Sequence, residues 1–90
     1  MAKAEISWKR RAADGEKMEV YAHHVGDRWK FYARERRVGQ WTLIEEPPKE
    51  DWVSLLDAVK RRVNRRLLRP EEVLRVQRAA QERYPELEFT

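Results

Sequence analysis

The stretch from Arg28 to Arg36 alternates with a period of two, and it constrains the fold more than any other part of the chain. Trp29, Phe31 and Ala33 fall on one side, while the other side carries basic residues and a single ring. Because successive side chains point to opposite faces of a strand, the pattern predicts a strand with an apolar core face and a cationic outer face. Such a face is either an ordinary solvated sheet surface or a binding surface for an anionic partner.

The period of two covers the first half of the chain and gives way to a helical period after Pro47 and Pro48. The pattern predicts strands at about 5–11, 17–25, 28–36 and 40–45, helices at about 49–67 and 70–84, and a tail at 85–90. The predicted fold class is therefore α+β, a four-stranded antiparallel meander followed by two α-helices packed on one sheet face. We expect a single domain over residues 1–90.

Glycines at the strand ends predict the turns and, through them, the register of the sheet. Gly26-Asp27 suits a two-residue hairpin turn that sets Tyr21 opposite Tyr32. Two three-residue loops are also predicted, one ending at Gly15 and one at Gly39. A loop of this length needs a left-handed residue at its last position, and glycine adopts that conformation readily. These loops place Trp8 opposite Val20, Trp41 opposite Glu35 and Leu43 opposite Ala33. The large residues predicted for the core of the sheet are Trp8, Trp29, Phe31, Trp41 and Leu43.

Composition narrows the classes of function. The chain has no cysteine, which excludes disulfides and thiolate metal sites, and its 20 basic and 16 acidic residues give a net charge of +4. His23 and His24 are adjacent, so in a strand they point to opposite faces and cannot share a metal ion. No serine or threonine has a base at a recognisable spacing. We therefore expect no enzyme, no metal and no cofactor, and, since no segment is long enough to span a bilayer, a cytoplasmic protein.

The first candidate site is the outer face of the sheet. Two cross-strand tyrosines flanked by cations would form a stacking platform for bases, with the cations neutralising phosphates. The alternative is a wet sheet face on which Glu19 pairs with Lys9 and Arg34. The candidate binding residues are Tyr21, His23, Lys30, Tyr32, Arg34 and Arg36, and the wider outer face would add Lys9, Arg11, Lys17, Arg28 and Thr42.

The second candidate site is a basic run near the end of the first predicted helix. On a helical wheel its arginines occupy one arc, and such a stripe can follow a phosphate backbone. The alternative is a solvated face that complements the helix dipole. The residues concerned are Arg61, Arg62, Arg65, Arg66 and Arg69.

These features predict a small basic module that binds nucleic acid, with single-stranded nucleic acid as the expected partner. The alternative is a protein–protein interaction module, favoured by alternating acidic and basic patches over residues 45–69 and by Leu68, Ile44 and Val25, which are expected to be exposed. We expect neither a membrane nor a small-molecule substrate as partner.

Overall fold

A computed structural model of the chain describes residues 5–25, 28–36 and 39–87. Its elements are β1 (Glu5–Arg11), β2 (Lys17–Val25), β3 (Arg28–Glu35), β4 (Thr42–Ile44), α1 (Lys49–Asn64) and α2 (Glu71–Arg83). This order confirms the predicted α+β class with an antiparallel sheet followed by two helices. The chain divides after Pro47 into two compact units, one holding the sheet and one holding the helices. That residues 1–90 form one domain stays a prediction.

The first three strands pair as predicted. The sheet order is β1-β2-β3-β4, and Trp8 lies opposite Val20 while Tyr21 lies opposite Tyr32. The loop after β1 is closed by hydrogen bonds from the Ala12 N–H to the Glu16 carbonyl and from the Gly15 N–H to the Ala12 carbonyl, both 2.9 Å. Gly15 has a φ of +87°, the left-handed geometry that the prediction required.

Two of the predicted turns fall outside the described residues, wholly or in part. The turn predicted at residues 26 and 27 falls outside the described residues. Next to it, Val25 pairs with Arg28, as a two-residue connection requires. Residues 37 and 38 of the predicted loop before β4 also lie there. Gly39, at the end of that loop, has the expected positive φ, +74°.

The predicted register of β4 is wrong by one residue. Thr42, not Leu43, lies opposite Ala33, and Leu43 lies opposite Tyr32. The β3–β4 ladder ends at Ala33 and Thr42, so the connection between the strands is longer than a three-residue loop and does not impose the assumed register. Because a shift of one residue exchanges the two faces, Trp41 and Leu43 leave the predicted core and are 37% and 47% exposed.

The buried face of the sheet consists of small and medium apolar residues with one large ring. Phe31 is buried, and the Trp8 ring meets it edge-on with ring centroids 6.0 Å apart. Trp29 is half-buried and stacks on His24 at 4.7 Å, as expected for a histidine on the core side. The buried residues of this face are Ile6, Val20, Ala22, Phe31 and Ala33.

In the helical unit the buried apolar residues recur at helical spacing. They are Trp52, Leu55, Leu56 and Val59 from α1 and Val76 and Ala80 from α2. The predicted end of the first helix at about residue 67 is wrong, because α1 ends at Asn64. Leu67, which the predicted helix included, is 57% exposed.

A Schellman motif ends α1. The Leu67 N–H donates to the Arg62 carbonyl at 2.8 Å, and the Arg66 N–H donates to the Val63 carbonyl at 2.9 Å. Arg66 occupies the left-handed position with a φ of +61°, where glycine is the usual residue. The sequence signal for a helix end is therefore missing, and arginine is a good helix former, which explains why periodicity extends the helix too far.

Replacing Arg66 by glycine should stabilise the protein. Relief of left-handed strain, about 1–2 kcal/mol, exceeds the roughly 0.5–1 kcal/mol that the greater flexibility of glycine costs. We expect the free energy of unfolding, measured by chemical denaturation, to rise by about 0.5–1 kcal/mol. Arg65→Gly is the matched control, because Arg65 has a φ of −91° and should only lose stability. Equal effects of the two substitutions would contradict this account of the helix end.

Candidate functional site

The outer face of the sheet is defined here as the face opposite Ile6, Val20 and Phe31. Alternation along β1, β2 and β3 brings the predicted basic residues together on this face, whereas Thr42, predicted to join them, pairs with Ala33 on the other side. Among the described residues, seven cations and two carboxylates share the outer face. The cations are Lys9, Arg11, Lys17, Arg28, Lys30, Arg34 and Arg36, and the carboxylates are Glu5 and Glu19.

Three aromatic side chains gather at the centre of the outer face. Tyr21 and Tyr32 are direct cross-strand partners, and their rings stack with centroids 4.8 Å apart and planes inclined by 17°. Trp41 joins them from the segment before β4 and meets Tyr21 edge-on at 4.7 Å. We call Tyr21, Tyr32 and Trp41 the aromatic platform. Both tyrosines are half-buried and Trp41 is exposed, so each ring keeps accessible surface.

Sequence reasoning missed Trp41 as a member of this site. The run from Trp41 to Ile44 has a large apolar residue in either phase of the alternation, so the pattern does not say which phase faces the core. In the structure the guanidinium carbon of Arg34 lies 4.5 Å from the centre of the Trp41 ring. This cation–π contact and the edge-on contact with Tyr21 hold the indole on the outer face.

The two carboxylates of the outer face are both paired with neighbours. Arg34 Nη2 lies 3.3 Å from Glu19 Oε2, and His23 Nδ1 lies 3.5 Å from Glu5 Oε1. The Arg34–Glu19 pair was predicted by the alternative interpretation, in which this surface is an ordinary solvated face. Within the described parts of the chain, the other six cations of the outer face form no ion pair. The face therefore presents a surplus of positive charge around the aromatic platform.

The electrostatic surroundings of the platform oppose ionisation of Tyr21. Burial, the neighbouring Tyr32 phenol and the Glu5 carboxylate together raise the pKa of the Tyr21 phenol above its ordinary value of 10.0. At neutral pH the phenol is uncharged, as any tyrosine with a pKa of 10.0 or above is, and its hydroxyl is a hydrogen-bond donor.

The predicted arginine stripe is not one helical arc. Arg61 and Arg62 lie in the last turn of α1, but Arg65 ends the helix and Arg66 takes the left-handed conformation, so Arg69 lies beyond the helix altogether. Arg61 also pairs with Asp57 one turn earlier, with Nη2 and Oδ2 2.9 Å apart. The prediction of a continuous helical track for phosphates at residues 61–69 is therefore wrong. A binding role for the individual arginines stays a prediction.

The surfaces expected for a protein partner are only partly exposed. Val25 is exposed, whereas Ile44 and Leu68 are half-buried. Other exposed apolar residues lie on the helical unit, at Val53, Leu67 and Leu74. Over the described ranges, no helix is both long enough and apolar enough to cross a membrane.

No family model matches this sequence, and no curated protein or solved structure is significantly similar to it. The function is therefore inferred from the chemistry and geometry of the site alone.

The shifted titration of Tyr21 can be tested directly. We expect Tyr21 to titrate above pH 10.0 in NMR spectra of its ring carbons, and Tyr32→Phe or Glu5→Gln to lower that pKa, because each removes a charge that opposes the phenolate. Since the folded-state pKa is the higher one, Tyr21 should contribute a loss of stability only above pH 10, as the unfolded state deprotonates first. A Tyr21 pKa at or below 10.0 would contradict the packing described for the platform.

Proposed function

We propose that this chain is a non-catalytic module that binds single-stranded nucleic acid through the outer face of its sheet. The observation that carries the proposal is the aromatic platform, three clustered rings on a sheet face where the described residues carry more cations than carboxylates. Bases stack on such rings with a gain of about 1–3 kcal/mol per base, whatever the sequence. The surrounding cations would neutralise the phosphates between stacked bases.

The geometry favours single strands over duplexes. A base can lie against an aromatic ring only when it is unstacked from its neighbours, which a duplex does not permit without disruption. Duplex recognition would instead need an element that enters a groove or follows the backbone, and the arginine segment after Asn64 is not helical. The outer face is thus better matched to a flexible strand.

Arg34 connects the two parts of this surface. Its guanidinium lies over Trp41 and also contacts Glu19, so it is held between a ring and a carboxylate. A phosphate beside Trp41 could take over the contact that Glu19 makes, since guanidinium groups bind phosphates and carboxylates with the same paired donors. Lys9 and Lys30 flank the platform along β1 and β3 and supply further positive charge.

Fluorescence anisotropy tests the proposal. Labelled single-stranded DNA, single-stranded RNA and duplex DNA of equal length are titrated with the protein at low and moderate salt. We expect tighter binding of single strands and an affinity that falls with salt by about 0.7 log units per log unit of salt for each phosphate contacted. No binding of any of the three at about 100 µM protein in low salt would overturn the proposal and leave a protein-interaction module.

Substitutions at Trp41 separate stacking from charge. Trp41→Ala should weaken binding about 5- to 150-fold, equivalent to the loss of one stacked base, whereas Trp41→Phe should keep most of the affinity. Trp41 lies outside the strands and is exposed, so folding should tolerate both changes.

Charge on the two surfaces is compared with a matched pair of variants. Lys30→Gln, on the outer face, and Arg69→Gln, on the helical unit, each remove one positive charge. We expect only Lys30→Gln to weaken binding and to lower its salt dependence. If Arg69→Gln weakened binding while Trp41→Ala and Lys30→Gln did not, the binding surface would lie on the helical unit instead.

A further inference from the structure

A row of three cations crosses the sheet at the end nearest the β1–β2 loop. Arg11 lies opposite Lys17, and the Arg36 N–H donates to the Lys17 carbonyl at 3.2 Å, so the three residues are neighbours on adjacent strands. All three side chains are exposed on the outer face. Like charges directly opposite one another destabilise a sheet, so this row is unfavourable by itself.

In the described residues none of the three cations forms an ion pair, so the repulsion between them is not relieved by a direct carboxylate contact. The three side chains line one cleft together with Gly15 and Glu16, which we call the hairpin-end cleft. Arg11 Nη1 donates to the Gly15 carbonyl at 3.0 Å, which holds its guanidinium at the edge of the cleft.

The chemistry of the hairpin-end cleft selects a small, doubly charged anion. Three cations and the Glu16 carboxylate leave a net charge of +2 in the lining. A phosphate monoester carries about −1.5 to −2 at pH 7, whereas a phosphodiester within a nucleic-acid chain carries a single charge. Two guanidinium groups and one ammonium also supply only donors, which suits the oxygens of a terminal phosphate.

The hairpin-end cleft and the aromatic platform lie on the same face of the sheet. Lys17 precedes Tyr21 by four residues along β2, and Arg36 follows Tyr32 by four residues along β3. At about 3.3 Å per residue the two sites are about 13 Å apart along the strands, a distance that a few nucleotides can span. A strand that begins in the cleft can therefore reach the platform along the same face.

We propose that the hairpin-end cleft binds a phosphate monoester and, given the proposed function, that this monoester is the terminal phosphate of the strand stacked on the platform. The protein then distinguishes phosphorylated from unphosphorylated strand ends. The same chemistry would also accept a free phosphate monoester, and the two sources are separated below.

The first arm of the test compares one oligonucleotide with a 5′-phosphate, a 3′-phosphate or two hydroxyl ends in the anisotropy assay. We expect one phosphorylated form to bind roughly tenfold more tightly than the hydroxyl form, the scale of one charge-assisted hydrogen bond. Lys17→Gln should reduce this ratio to about one. Lys30→Gln, which removes the same charge beside the platform, should weaken both forms and leave the ratio unchanged.

The second arm needs no nucleic acid. Inorganic phosphate is titrated into the isotopically labelled protein, and the backbone amide signals of Gly15, Lys17 and Arg36 are expected to shift in the wild type and not in Lys17→Gln. If phosphate shifts these signals while no oligonucleotide binds, the proposed function fails and the cleft stands as a site for a free phosphate monoester.

Two further results would overturn the inference. If phosphate shifts the amides but the oligonucleotides show no preference for either phosphorylated end, the assignment to a strand end is wrong. If the oligonucleotides bind without preference and phosphate shifts none of the three amides, the cleft is not a phosphate site, and the proposed function is unaffected.

Discussion

The pairing of β2 with β3 is the constraint on which the rest of the sheet depends. It sets Tyr21 opposite Tyr32 and, one residue further, Ala22 opposite Phe31. A slip of β3 by one residue would move Phe31 to the outer face and Tyr32 to the core side. The apolar residues thus fix a register that also stacks the two tyrosines, so burial of the core and assembly of the aromatic platform have the same physical cause.

The difference between β4 and the other strands shows what a sequence can determine about this sheet. In β1, β2 and β3 the two faces differ in chemistry, and only one register buries Val20, Ala22 and Phe31 together, so the pairing could be predicted. In β4 each phase carries a large apolar residue, Leu43 in one and Ile44 in the other, and the connection before it is too long to impose a register. In the structure Trp41 contacts Tyr21 and Arg34 on the outer face, and no local pattern reveals these contacts.

The end of α1 was unpredictable for a related reason. Helical periodicity and the high helix propensity of arginine both favour continuation through residue 66, while the Schellman hydrogen bonds end the helix at Asn64. The predicted helix is only three residues too long, but the difference matters for the second candidate site. The arginines of residues 61–69 no longer share one helical face, which was the reason for proposing them as a binding surface. A predicted binding surface near the end of a helix therefore depends on where the helix ends.

Charges near the platform and charges at the end of the sheet nearest the β1–β2 loop have different neighbours. At the platform, Glu19 pairs with Arg34 and Glu5 lies beside His23, which is the ordinary arrangement on a solvated sheet face. On α1, the contact of Arg61 with Asp57 and the dipole of the helix account for the basic last turn.

Arg11, Lys17 and Arg36 have no such local explanation. Within the described chain they are three neighbouring like charges on adjacent strands, and none of them forms an ion pair. The Glu16 carboxylate in the cleft lining offsets one of the three charges, and an anionic partner would supply the remaining negative charge. This local excess of positive charge, more than the total charge of the chain, indicates where an anion would bind.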